Sequence, residues 1–279
     1  MDGLATFMEM PTHEMEWMAD SSSVSLKLDG FFRSLASAEK SALLLDFDGT
    51  LAPFRIDPTK VRPWAGVVTL LDKIRQSGKT RLAIITGRPA LDVASQLSLR
   101  DGLEIWGLHG AQRLYSDGRL EQEELLTDQR VAIDAARIAI HNAKLGLRIE
   151  EKPNAVVVHW RGKSLQSARS LKVQVLNLLQ PFEGVAAVRL LEFDGGIELR
   201  AGHDKGDTVR LILDEMPRNT PVAYLGDDVT DEDAFRALSG KGMGILIRRE
   251  WRPSAAQLWL CPPVQLRKFL TMWLEAVEH

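Results

Sequence analysis

Leu43–Pro53, LLLDFDGTLAP, decides how the rest of this chain is read. Three consecutive leucines, Leu43, Leu44 and Leu45, deliver two aspartates at i and i+2, Asp46 and Asp48, and Gly49 and Thr50 follow at once. A short aliphatic run ended by turn residues reads as a strand buried on both faces of a parallel sheet. In open α/β sheets ligands gather beyond the carboxyl ends of the strands, so both carboxylates fall where chemistry is expected. If the extended geometry persists to Asp48, the two acids face one side. If the chain breaks at Gly49, Asp48 turns over the reacting group instead. Two acids this close are costly without a neutralising cation, so a metal is expected. The same Asp-x-Asp-Gly composition is also common in plain turns, and the surrounding sequence has to separate the two readings.

Outward from this stretch the pattern alternates. Residues 24–39 have the apolar spacing of a helix leading into the strand, and 64–76 read as an amphipathic helix ended by Gly78. A second buried strand spans 81–86 and ends in Thr86-Gly87-Arg88-Pro89; a short helix at 90–98 and a strand at 103–110 follow. This β-α-β-α-β order predicts a parallel sheet with right-handed crossovers. The rhythm then changes. A hairpin is expected over 113–122 around Asp117-Gly118, then a helix over 127–145, strands at 147–151 and 155–160, a helix over 164–182 and a hairpin over 188–200. After this α+β stretch come a helix at 205–216, strands at 221–228 and 242–247, and a closing helix at 264–277. The expected division is 1–40 as an N-terminal extension with its leading helix, 41–118 and 202–279 as the core, and 119–201 as an inserted α+β cap.

Composition narrows the function. The chain has 279 residues, of which 45% are hydrophobic and 26% charged, as in an ordinary globular protein. A net charge of −3 with no basic block argues against nucleic-acid binding. No apolar run approaches the ~18 residues of a membrane span. The single cysteine, Cys261, excludes an internal disulfide, suits a reducing, cytoplasmic setting, and is expected as a small buried residue. Residues 1–22 lack the basic and apolar regions of a secretory signal. This stretch, rich in methionine (Met1, Met8, Met10, Met15, Met18) and carrying Trp17, reads as an extension that is loosely ordered or docks on a surface.

Four groups of polar residues end strands or open helices: Asp46-x-Asp48, Thr86-Gly87-Arg88, Lys205-Gly206, and Gly226-Asp227-Asp228 with Asp231. Each alone is ordinary loop chemistry. Together they fit phosphoryl transfer, which needs charge neutralisation around the phosphate and an in-line nucleophile. Asp46 can be that nucleophile, and Asp48 the acid for the leaving alkoxide and then the base for water. Thr86 can donate to the phosphoryl group, and Lys205 can screen it and Asp46. Mg²⁺ on Asp46 and Asp227 would let an anionic carboxylate approach an anionic phosphate.

These motifs resemble those of the haloacid dehalogenase (HAD-like) superfamily of aspartyl-phosphate phosphatases. The resemblance implies a doubly wound parallel-sheet (Rossmannoid) α/β core, Mg²⁺ on Asp46, Asp227 and the main-chain carbonyl of Asp48, and supporting roles for Asp228 and Asp231. Finer matches are G-L-H-G-A-Q at 107–112, E-E-K-P at 150–153, V-V-H-W-R at 157–161 and G-D-D-V-T-D-E-D-A-F at 226–235. In order and spacing these resemble the trehalose-6-phosphate phosphatase family over most of residues 41–277. That family's pattern implies that Glu150, Lys152, Arg161 and Glu198 of the cap grip sugar hydroxyls. It also implies that His109 and Gly110 shape the core side of the pocket, and that Gly87 and Arg88 serve the phosphate end. The alternation of strand side chains independently puts Glu150 with Lys152, and His159 with Arg161, on common faces. Two departures stand out: Ala201 replaces a usual proline, with one residue fewer before Lys205, and Trp160 replaces a common tyrosine. The first falls on the loop around Glu198 and bears on sugar selectivity, not on phosphoryl chemistry.

The expected activity is Mg²⁺-dependent hydrolysis of trehalose 6-phosphate to trehalose and phosphate, the last step of trehalose biosynthesis, with a functional link to a trehalose-6-phosphate synthase. The rivals are a phosphatase for sucrose 6-phosphate or glucosylglycerol phosphate, a non-catalytic sugar-phosphate sensor, and a phosphomutase.

Overall fold

The computed structural model describes residues 21–55, 57–97, 103–146, 148–160, 162–193 and 195–278. The extension over residues 1–20 and Arg161 lie outside the described residues. The chain runs α1 (Ser21–Ser37), β1 (Ser41–Leu45), α2 (Val67–Gln76), β2 (Thr80–Ile85), α3 (Ala90–Leu97), β3 (Glu104–Gly107), β4 (Gln112–Leu114) and β5 (Leu120–Gln122). It continues through α4 (Thr127–Asn142), β6 (Arg148–Lys152), β7 (Ala155–His159), α5 (Leu165–Leu179), β8 (Arg189–Phe193) and β9 (Gly196–Arg200). It closes with α6 (Lys205–Asp214), β10 (Val222–Gly226), α7 (Glu232–Ala237), β11 (Met243–Ile247), β12 (Leu258–Leu260) and α8 (Val264–Glu278).

Two sheets result. The larger has eight strands in the order β12-β11-β10-β1-β2-β3-β4-β5, parallel from β12 to β3 and antiparallel at β4 and β5. β1 lies at its centre, so the leucine run is covered from both sides. Leu43 and Leu45 point into the layer of α1, α2, α3 and α8, whereas Ala42 and Leu44 point into that of α6 and α7. That period-two division is why an unbroken apolar run was required. The closing helix α8 buries Leu266, Phe269, Leu270, Trp273, Leu274 and Val277, one or two residues per turn on a single face, each such side chain contributing about 1.5–3 kcal/mol. Trp273 also donates from Nε1 to Thr80 Oγ1 at 3.0 Å, and Thr80 Oγ1 lies 2.9 Å from Ser41 Oγ, tying the helix to the starts of β1 and β2.

The smaller sheet is antiparallel, in the order β6-β7-β9-β8. One face carries Ile149, Val156, Val158, Ile197 and Leu199, packed against α4 and α5. The register aligns Glu150, Val157, Glu198 and Leu191 across the other face, with Lys152, Ala155, Arg200 and Arg189 in the next row. This second face turns toward the carboxyl ends of the large sheet and lines the cleft between them.

Several expected boundaries shift for identifiable reasons. The strand expected over 103–110 stops at Gly107, because Leu108, His109 and Gly110 take left-handed conformations (φ 51°, 59° and 114°). The hairpin over 113–122 forms, but it extends the large sheet, so the line drawn at residue 118 cuts through that hairpin; the core sheet continues to Gln122. β12 and α7 were not anticipated, being only three and six residues long. Cys261 is half-buried, not enclosed.

Candidate active site

Asp46 leaves β1 with its backbone N–H bonded to the Leu225 carbonyl of β10 (2.8 Å), which fixes the carboxylate above the sheet edge. Lys205 is the first residue of α6. Its neighbour Asp204 caps the helix by accepting from Asp207 N–H (2.8 Å), and Asp207 returns the bond to Asp204 N–H (3.1 Å). This capping box pins Lys205, whose Nζ donates to Asp46 Oδ1 at 2.6 Å and to Asp231 Oδ1 at 2.7 Å. Asp46, Lys205, Asp227 and Asp231 are each at most 4% exposed.

Carboxylate oxygens of Asp46, Asp227 and Asp231 lie within 4.8 Å of one another. The three are not equivalent. Asp231 accepts from Lys205 and from Tyr224 O–H (2.5 Å) on Oδ1, and from the N–H groups of Asp227 and Asp228 (both 2.9 Å) on Oδ2. Burial alone would raise its pKa, but Lys205 and these donors hold it below the usual range. Asp231 therefore organises the loop that carries Asp227. Burial pushes the Asp46 carboxyl up to about 7 against the pull of Lys205, and Asp231 adds to the rise. Burial, with Asp46, Asp231 and Asp228 adding repulsion, holds Asp227 well above its ordinary value. Two crowded carboxylates that resist ionisation suit a hard divalent cation taking oxygen ligands. Asp228 is directed partly to capping, accepting from Val229 N–H at 2.7 Å.

Asp48 settles the alternative left open by its spacing. β1 ends at Leu45, the chain turns, and Asp48 meets Arg88, whose Nε and Nη2 donate to Oδ2 and Oδ1 at 2.5 Å each. Thr86 follows β2 and is 1% exposed; its Oγ1 accepts from Arg88 N–H (3.2 Å), leaving the hydroxyl proton available to a ligand. The left-handed turn at 108–110 is stitched to this loop by His109 N–H to Thr86 O and Leu108 N–H to Arg88 O (both 2.9 Å). Gly87 is required here. A Cβ at this position would stand 2.6 Å from His109 Nε2.

His109 then joins core to cap. Its Nε2 lies 3.2 Å from Glu198 Oε2. Burial, with help from the charges of Arg200 and Lys152, drives its pKa down to about 3, so the ring is neutral and donates from Nε2. Glu198 is 3% exposed and also accepts from Lys152 Nζ (2.9 Å), with Arg200 Nη1 at 3.5 Å. Burial would raise its pKa; Lys152, His109 and Arg200 together hold it well below the usual range. Glu150 pairs with His159 Nε2 at 2.8 Å, and that bond is the main reason its pKa is lowered.

The structure thus brings Asp46, Asp48, Thr86, Gly87, Arg88, His109, Glu150, Lys152, Glu198, Lys205, Asp227 and Asp228 around one cleft of about 480 Å³. Asp231 supports it from beneath, and Gly110 completes the turn holding His109. Sequence reasoning missed Tyr224, which anchors Asp231, and Arg200, which braces Glu198. Arg200 was detectable, since it stands two residues beyond Glu198 on the same strand face. Ala201, where a proline was expected, donates its N–H to Asn154 O (2.9 Å), a bond proline could not make.

The model of the trehalose-phosphatase family matches residues 44–258. A trehalose-phosphate phosphatase of Mycobacterium marinum is 30% identical over 242 residues, covering 82% of this chain and 60% of that protein. The chain thus spans about 60% of the length of the curated relatives it matches. The C-terminal domain of Candida albicans trehalose-6-phosphate phosphatase superposes with a TM-score of 0.73 at 20% identity, covering 90% of this chain and 96% of that one. A haloalkanoate (HAD) superfamily phosphatase from Bacteroides thetaiotaomicron superposes at 0.58 with 16% identity, covering 85% and 96%. At these identities the two structures speak to the fold, an HAD-like core with a cap. With the family match running through both the Asp46 strand and the Asp227 loop, the chain belongs to the trehalose-phosphatase family.

Proposed function

We propose that this chain is a phosphatase that hydrolyses trehalose 6-phosphate through an aspartyl-phosphate on Asp46. The observation that carries the reading is the placement of Asp46, bonded to Lys205, at the floor of a cleft whose roof is the charged face of the cap sheet. An Asp46 oxygen attacks phosphorus, the bond to the sugar oxygen breaks, and Asp48 gives that oxygen a proton. A water molecule, deprotonated by Asp48, then attacks the same phosphorus, and the phosphorus–Asp46 bond breaks to release inorganic phosphate. Thr86 and Lys205 stand where they can donate to the phosphate oxygens throughout.

Asp46, Asp227 and the main-chain carbonyl of Asp48 would hold Mg²⁺, which supplies charge neutralisation between carboxylate and phosphate. Glu150, Lys152, Glu198 and Arg161 would take the sugar hydroxyls, the charged pairs already formed across the face marking where those hydroxyls exchange in. The setting is cytoplasmic on this reading, in keeping with a lone half-buried cysteine, and a synthase would supply the substrate. Among the described residues no helix is long and apolar enough to cross a membrane.

The test is phosphate release across trehalose 6-phosphate, sucrose 6-phosphate, glucosylglycerol phosphate and glucose 6-phosphate with Mg²⁺ present. The reading requires trehalose 6-phosphate to have the highest kcat/KM and Asp46→Asn to abolish turnover while the fold persists. Tight binding of a sugar phosphate without turnover would replace the enzyme with a sensor.

A further inference from the structure

The polar face of the cap sheet has a third row, which the chemistry above does not use. Register aligns Arg148, His159, Gly196 and Phe193 across β6, β7, β9 and β8. The Phe193 ring does not belong to the cap's own core, which lies on the opposite face. It is half-buried, lines the cleft, and leans over Gly196 toward His159. The two rings meet edge to face, with centroids 5.7 Å apart and planes at 72°. Gly196 makes this seat. A Cβ there would stand 2.3 Å from Phe193 Cζ and 2.7 Å from the Val158 carbonyl oxygen. His159, in turn, is fixed by its bond to Glu150.

Distance from the phosphate end gives the row its meaning. Glu198 touches His109, which packs on Gly87, so the Glu198 row stands beside the phosphate end and would face the first sugar ring. The Phe193 row lies two residues further along the strands, about 7 Å away, a step comparable to one pyranose ring. Chemistry changes along the same direction. The inner rows offer carboxylates, ammonium and guanidinium, which recognise hydroxyls. The outer row keeps a guanidinium in Arg148 and adds what the inner rows lack, the aromatic ring of Phe193, suited to the C–H side of a pyranose. Phe54 also lines the cleft, but on the core side against Gly49.

We infer that Phe193, seated over Gly196 and against His159, is the apolar wall for the distal ring of a disaccharide phosphate, and so selects a disaccharide over a monosaccharide phosphate. The inference rests on the sugar-phosphate reading above and names the residue that sets substrate length. It is tested by kcat/KM for trehalose 6-phosphate and glucose 6-phosphate in the wild type, Phe193→Ala and Phe193→Tyr. The ratio of the two constants should fall about 10- to 100-fold in Phe193→Ala and stay within about threefold in Phe193→Tyr. An unchanged ratio in Phe193→Ala, or a parallel loss on both substrates, overturns the wall while leaving the phosphatase intact. A wild type that itself prefers glucose 6-phosphate overturns the disaccharide reading, and the wall with it.

Discussion

The guanidinium of Arg88 grips both oxygens of Asp48, Nε on Oδ2 and Nη2 on Oδ1, each at 2.5 Å. A planar fork of this kind fixes a carboxylate in orientation as well as position. It also occupies both oxygens, so under the proposed mechanism Asp48 would have to turn from Arg88 before handing a proton to a leaving oxygen. A substrate phosphate competing for the guanidinium would release it, coupling binding to readiness of the acid. Arg88→Ala should therefore lower kcat/KM for the sugar phosphate about 10- to 100-fold through lost orientation. The loss should be several-fold smaller on p-nitrophenyl phosphate, whose leaving group needs no proton. Equal losses on the two substrates would confine Arg88 to holding phosphate.

Lys205 sets its ammonium between Asp46 and Asp231; burial would lower its pKa, but both carboxylates raise it. Lys205→Met removes the charge and keeps much of the volume. Asp46, Asp227 and Asp231 then share a buried space without that counter-charge, and removing one partner of a buried ion pair typically costs about 3–5 kcal/mol. We expect turnover to vanish and Tm to drop by that equivalent in EDTA. Added Mg²⁺ should raise Tm more in the variant than in the wild type. An equal Mg²⁺ effect in both would show that the cation does not sit among these carboxylates.

Much of this site was legible because its residues occupy regular elements. Leu43–Leu45 announce a two-faced strand, and Asp46 follows by position alone. Glu150 and Lys152, or Glu198 and Arg200, share a face because strand side chains alternate. What could not be read depends on tertiary pairing or on departures from regular backbone. The register that sets His159 beside Gly196 and Phe193 involves three strands separated in sequence. The break at Leu108 replaces a strand whose apolar residues gave no turn signal, since left-handed leucine and histidine are uncommon. Asp231 reads as one more acid beside Asp227 and Asp228 until Tyr224 and Lys205 are seen to saturate it.

His109 makes the cap junction sensitive to acid. Its Nδ1 is buried without a partner, and burial with nearby cations holds its pKa at about 3, against an ordinary value of 6.5. The unfolded chain takes up a proton near 6.5, whereas the folded ring resists until about 3. Its stabilising contribution is thus complete above 6.5 and declines as pH falls toward 3, by at most about 1.4 kcal/mol per pH unit. Asparagine also tolerates the left-handed φ of 59° at this position. His109→Asn should flatten the fall of Tm between pH 7 and pH 5 relative to the wild type, as thermal melts across that range would record. Parallel curves would mean that the folded ring protonates freely.

Gly49 decides where Asp227 can stand. Its φ is +90°, and a Cβ there would lie 2.1 Å from Asp227 Oδ2 and 2.6 Å from Phe54 Cε2. Phe54, 40% exposed, can swing away, but Asp227 cannot yield cheaply: it is 3% exposed, and its N–H is bonded to Asp231. Gly49→Ala therefore combines about 1–3 kcal/mol of backbone strain with displacement of the Asp227 carboxylate. The strain lowers Tm at every Mg²⁺ concentration. If Asp227 holds Mg²⁺ as proposed, the displacement should raise the Mg²⁺ concentration for half-maximal activity about 10- to 100-fold, as misplacing a ligand's support does elsewhere. Titrating Mg²⁺ in both activity and thermal-shift assays separates the two effects. If Gly49→Ala loses stability while its Mg²⁺ requirement stays at the wild-type value, Asp227 is not a metal ligand.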